Sequence, residues 1–233
     1  MVLFCLFYWI SIVHAGDNAP VKTQLSSFKS RGKMIRMEWY RCSGQNKGTV
    51  IFLYGSGGIE NKDGYFRYFA EELARKGFRC GILHYFDRDG IRYASSQQMS
   101  QHFSDWLVTI GDAISYAQKE TTNKKVALVG HSLGSQLALI QASRDASVGC
   151  VVEMSGSLVY PLKAASKLPP VFIIHGDRDN VVPLGKEKQL ESALKKRNSY
   201  YEKRILSGQG HGFDWDKAIQ LIDPSASFIE RHL

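Results

Sequence analysis

Val126-Ala127-Leu128-Val129-Gly130-His131-Ser132-Leu133-Gly134 is the stretch that decides the fold. An unbroken apolar run of strand character stops at Gly-His-Ser-Leu-Gly, and a helical pattern through Leu137, Ala138 and Ile140 follows at once. A serine forced into so sharp a strand-to-helix turn holds its hydroxyl clear of the sheet edge. Glycine is needed at 130 and 134, because a Cβ at either would collide with the neighbouring backbone. The helix that begins at Leu133 presents unpaired N–H groups, which can stabilise a negatively charged oxygen beside the serine.

Working outward, apolar runs alternate with helical patterns. Residues 33–42 alternate, with Ile35, Met37 and Trp39 on one face, and predict a half-exposed strand; residues 16–30 are polar and predict a loop leading into it. Residues 49–54 form a continuous apolar run, the mark of a strand covered on both faces, and end in Gly55-Ser56-Gly57-Gly58. A helix is predicted over 65–76, a strand over 78–85, a polar loop over 87–98 and a helix over 102–118. Beyond the central turn come strands at 149–154, 171–174 and 200–206. Helices are predicted at 186–196 and 213–231, and a mixed connection at 155–168. Such alternation predicts a parallel sheet covered on both faces.

With 233 residues, 44% hydrophobic and 22% charged, the chain suits one well-buried domain. A formal charge of +8 invites an acidic partner, but the cations are spread along the chain and mixed with Asp and Glu. Lys195-Lys196-Arg197, the densest cluster, falls at a helix end, where cations suit the dipole, and no aromatic–basic alternation accompanies it. Nucleic acid is therefore not expected as a partner. Residues 1–13 are almost wholly apolar and uncharged, and Val13-His14-Ala15 offers small residues for signal peptidase. The expectation is a signal peptide over 1–15, a domain over 16–233, and a secreted or periplasmic protein. The run is too short for stable membrane insertion. A cytoplasmic location is the alternative, because no Lys or Arg precedes the run. Cys80 and Cys150 lie in apolar strand patterns and are expected in the core. No C-x-x-C pair suggests a metal.

The serine needs a base on another loop at the carboxyl edge of the sheet, and an acid to orient that base. Of the histidines after Ser132, His232 is next to the last residue. His175 ends a strand with no suitable acid between it and the serine. His211, on the glycine-rich Gly208-Gln209-Gly210-His211-Gly212-Phe213, remains as the base. The acid comes from the polar loop after residue 174, where Asp177 and Asp179 are both available. Asp177, directly after His175-Gly176, is placed to brace the turn through its own backbone, and Asp179 is two residues further out. Asp179 is expected to orient His211. The oxyanion donors are expected to be the amide of Leu133 and one from the loop at 54–58, Ser56 first and Gly57 second. The run at 55–58 lacks the Lys-Ser/Thr of a phosphate loop.

Gly-His-Ser-Leu-Gly, His-Gly-Asp-Arg-Asp-Asn-Val-Val-Pro and Gly-Gln-Gly-His-Gly-Phe, in this order, resemble the α/β-hydrolase superfamily. Within it they are most similar to the dienelactone hydrolase family. The resemblance implies a central, mostly parallel sheet of about seven or eight strands and hydrolysis of a small-molecule ester or lactone without a cofactor. Its pattern His-Gly-x-x-Asp-x-x-Val-Pro also places the acid at Asp179. Two features depart from the family. The namesake enzyme uses a cysteine nucleophile where this chain has Ser132, so its lactone substrate is not carried over. Tyr54 stands before Gly55 where many relatives have histidine. A thioesterase or peptidase with the same three residues, or a fold kept for binding alone, are the alternative functions. The short 155–168 connection predicts a shallow pocket for short acyl groups, edged by Tyr85, Tyr160 and Phe213.

Overall fold

The computed structural model describes residues 20–44, 46–60, 65–158, 162 and 167–233. The apolar leader at 1–15 and Tyr160 lie outside the described residues. In chain order the elements are β1 (Lys22–Ser30), β2 (Lys33–Arg41), β3 (Thr49–Leu53), α1 (Tyr65–Arg75), β4 (Arg79–Leu83), α2 (Ser96–Ala117) and β5 (Val126–His131). There follow α3 (Leu133–Ala142), β6 (Val148–Met154), β7 (Val171–Gly176), α4 (Leu184–Lys196), β8 (Tyr201–Leu206), α5 (Trp215–Ile219) and α6 (Ile222–His232). The eight strands form one sheet in the order β1-β2-β4-β3-β5-β6-β7-β8. From β4 to β8 every pairing is parallel; β1 and β2 are antiparallel.

The apolar runs lie where both faces are covered. Every residue of β3, β4, β5, β6 and β7 is buried. The chain steps leftward from β3 to β4 over α1, then rightward through α2, α3 and α4. Right-handed crossovers therefore place α1 on one face and the other three on the opposite face. Helix α6 returns over the α1 side. All parallel strands point their carboxyl ends to one edge, and the loops after β3, β5, β7 and β8 meet there.

The structure departs from the sequence reading at three places. Residues 22–30 are a strand, not a loop: β1 pairs with β2 through the two-residue turn Arg31-Gly32, whose φ values of 42° and 88° suit a tight hairpin. Most of β1 is exposed, so no apolar alternation announces it. Helix α2 starts at Ser96, several residues early, because Ser95 and Gln98 form a reciprocal capping box. The last helix is two helices. Pro224, in the first turn of α6, lacks the N–H that would bond back to Gln220 and so interrupts the run.

Candidate active site

Ser132 occupies the junction of β5 and α3 with φ 54° and ψ −116°, a backbone conformation costly for a residue with a side chain. The turn is enforced by close packing. A Cβ on Gly130 would stand 2.5 Å from the Gly134 backbone, and one on Gly134 would run into the carbonyl oxygen of Leu53. Ser135 is fully buried, and its hydroxyl donates to the Gly130 carbonyl and accepts from the Met154 amide, tying α3 to β5 and β6. The start of α3 beneath Ser132 is thus fixed from both neighbouring strands.

The loops after β7 and β8 bring two more side chains to Ser132. Its Oγ lies 2.9 Å from His211 Nε2, and His211 Nδ1 lies 2.9 Å from Asp179 Oδ2. An ionised carboxylate only accepts, so Nδ1 carries the ring proton and Nε2 is left to accept from the serine hydroxyl. Burial opposes ionisation of Asp179, yet hydrogen bonds from His211 and from the Val182 and Val181 amides hold its pKa below the ordinary value. Those amides donate to Oδ1 at 2.8 and 2.9 Å. Asp179 therefore braces its own turn, work expected of Asp177. Asp177 Oδ1 instead accepts from the Gly208 amide at 2.7 Å, stitching the β7 exit to the loop that carries His211.

Beneath Asp179 lies a buried polar layer. His175, fully buried, donates from Nε2 to the Val182 carbonyl at 2.8 Å and stands 3.4 Å from Asp179 Oδ2. Glu153 is also buried, on β6, with one carboxyl oxygen accepting from the Gly156 amide. Burial, opposed by that amide and reinforced by the charges of Glu187 and Asp179, raises its pKa to about 8.

A cavity of about 130 Å³ opens over Ser132 and His211, walled by the 54–59 loop, Tyr65, Phe66, Arg67 and His131. Ser56 lines it. Leu133 begins α3, so its amide has no intrahelical partner. Among the described residues, Arg67 is the only lysine or arginine that lines this cavity. Arg67 is held by both carboxylate oxygens of Glu38 at 2.9 and 3.0 Å and by Glu60 at 3.2 Å. The expected aromatic edge differs. Tyr85 is fully buried, stacked on Tyr54, with its hydroxyl donating to the Tyr54 carbonyl; it does not line the cavity, because the chain after β4 turns under the glycine loop. Phe213 is half-buried against the His131 ring, and the neighbouring Gly212 reaches the cavity.

Two histidines at the carboxyl ends of β5 and β7 have supporting contacts that the sequence does not disclose. His131 donates from Nε2 to the His211 carbonyl at 2.9 Å, with the two rings 5.0 Å apart, so it fixes the backbone of the His211 loop. His175 steadies the Asp179 loop. His131 adjoins Ser132, but adjacency does not reveal a bond across 80 residues of chain; His175, read from the sequence as a rejected base, acts instead on a carbonyl seven residues on.

The same architecture recurs in solved structures at low identity. A putative dienelactone hydrolase from Klebsiella pneumoniae is 15% identical over 92% of this chain and 100% of its own, with a TM-score of 0.76. A dienelactone hydrolase-like promiscuous phosphotriesterase from metagenomic libraries is 16% identical over 92% and 99%, at 0.78. An esterase from Pyrobaculum calidifontis is 20% identical over 92% and 86%, at 0.70. These likenesses identify the α/β-hydrolase fold. The model of the dienelactone hydrolase family matches residues 43–229, most of the chain, and to that family this protein belongs.

Proposed function

We propose that the protein is a serine hydrolase that cleaves a small, uncharged carboxylic ester or lactone through an acyl-enzyme on Ser132. The observation that carries this reading is the line of two 2.9 Å contacts from Ser132 through His211 to Asp179, opening on a cavity. In the proposed cycle Ser132 attacks the carbonyl carbon while His211 Nε2 takes its proton, and Asp179 favours the imidazolium that forms. The amides of Leu133 and Ser56 receive the oxyanion. His211 then protonates the departing alcohol, and a water activated by the same nitrogen releases the acid. A charged acyl group is disfavoured because Arg67 is already neutralised by Glu38 and Glu60. The cavity volume, well under the roughly 300–1,000 Å³ that encloses drug-sized ligands, favours short acyl chains.

The test is a series of p-nitrophenyl esters, alongside thioesters, lactones and short peptides, with a fluorophosphonate to label the nucleophile. Turnover is expected to fall beyond about four to six acyl carbons. Preference for chains of ten or more carbons, or turnover of peptides alone, would overturn the substrate assignment. Labelling that persists in Ser132→Ala would overturn the nucleophile. We further propose export with cleavage after Ala15, which N-terminal sequencing of the native protein tests.

A further inference from the structure

The glycine loop after β3 is held by its carbonyls. Tyr54 O accepts from the Tyr85 hydroxyl at 2.7 Å, Gly55 O from the Gly58 amide at 3.0 Å, and Ser56 O from the Ala94 amide at 2.8 Å. In a trans peptide the C=O of one residue and the N–H of the next point in opposite directions. Three carbonyls anchored in succession therefore fix how the amides of Gly55, Ser56 and Gly57 are turned. Two of the three anchors come from the segment that follows β4. That segment also closes on the end of the turn, for the Arg92 carbonyl occupies the space a Cβ on Gly58 would need.

We infer that Tyr85 is a positioning residue: its buried hydroxyl sets the Tyr54–Gly55 peptide, and through it the aim of the loop that supplies the second oxyanion donor. The inference rests on the hydrolase reading above. Tyr85 is fully buried, and its hydroxyl gives its one hydrogen to this carbonyl. Its ring lies nearly parallel to that of Tyr54 at 4.5 Å, and the Phe86 amide donates back to the Tyr54 hydroxyl at 3.2 Å. Tyr54 is thereby gripped at both its carbonyl and its side-chain end. The gripped carbonyl also borders the elbow, because a Cβ on Gly134 would stand 2.6 Å from it. Releasing it changes how the glycine loop sits on the first turn of α3, beside Ser132.

The experiment is Tyr85→Phe, which keeps the stacked ring and removes only the hydroxyl. Ser30→Ala is the control, since it removes a buried hydroxyl bonded to Asp112 away from the cavity. Active sites are counted by fluorophosphonate labelling, and kcat and KM are measured per labelled site on a short p-nitrophenyl ester. Loss of one oxyanion donor costs about 10²–10³ in kcat, so loosening one should cost roughly ten- to fifty-fold. KM should stay within about two-fold, and the inhibition constant of an alkyl boronic acid, which mimics the tetrahedral state, should rise with the fall in kcat. Ser30→Ala should lose thermal stability without that split. Tyr85→Phe with unchanged kcat, or with only KM raised, overturns the inference and leaves the hydrolase reading intact. A wild-type protein that is neither labelled on Ser132 nor active on any ester overturns both.

Discussion

Two loops flank the turn at Ser132 on opposite sides of β5, and they are held in different ways. In the loop after β7, the group proposed to act also organises the chain: Asp179 offers one oxygen to His211 and the other to two amides of its own turn. In the loop after β3 the tasks are divided. The carbonyls of Tyr54, Gly55 and Ser56 are anchored, and the donor we propose for the oxyanion is an amide between them. The difference follows from the chemistry of each role. A carboxylate has lone pairs enough for several donors, whereas an amide has one hydrogen and must keep it unspent. In the first loop, support and activity should be lost together; in the second they should be separable.

Ser132→Ala sets the upper limit of effect, with a loss of activity of about 10⁴-fold or more on p-nitrophenyl acetate. Asp179 tests the dual role. Asp179→Asn keeps an oxygen for the Val181 and Val182 amides but presents an N–H to His211, which must then adopt the other tautomer. We expect kcat to fall by up to roughly 10⁴ with little change in melting temperature. Asp179→Ala should lose the same activity and a further ~1–3 kcal/mol of stability, since two amides lose their acceptor. Equal stability in the two variants would break the comparison.

Glu153 sharpens the picture of the layer below. Its pKa near 8 in the folded protein lies above its ordinary value of 4.5, so the folded state holds a proton that the unfolded chain releases between those values. Its stability contribution is complete below about pH 4.5 and declines as pH rises towards 8. Glu153→Gln retains an acceptor for the Gly156 amide and cannot ionise. It should raise stability by about 4 kcal/mol at pH 8 and by less than about 1 kcal/mol at pH 5, which melting curves at both pH values would check. Asp177→Ala should have the smallest effect. Loss of its bond to Gly208 should cost about 1 kcal/mol and leave kcat within a few-fold. Abolished turnover in Asp177→Ala alone would return the acid's role to that residue.

The parallel strands could be read from the sequence because burial on both faces leaves continuous apolar runs such as 50–53 and 171–174. Strand β1 could not, since an exposed edge takes its hydrogen bonds from β2 and asks little of its side chains. The meeting of Ser132, Asp179 and His211 at one sheet edge follows from strand direction alone, so their loops were legible as a group. The division of labour between the two aspartates was not. It depends on which way each carboxylate turns, and the Gly208 amide that receives Asp177 comes from a strand away. Tyr85 misled for a related reason: an aromatic residue at a strand end reads as a pocket wall until the chain is seen to turn under Tyr54.

The backbone at Ser132 has an evolutionary consequence. A residue with a side chain held at φ 54° and ψ −116° carries a standing conformational cost, of order 1–3 kcal/mol, that glycine would escape. Drift at this one codon towards glycine would therefore be rewarded by stability and, on the proposed mechanism, resisted by the need for a hydroxyl. A lineage released from selection for hydrolysis should lose Ser132 while keeping Gly130 and Gly134, which the packing of α3 against β5 and β3 demands whether or not any ester is cleaved.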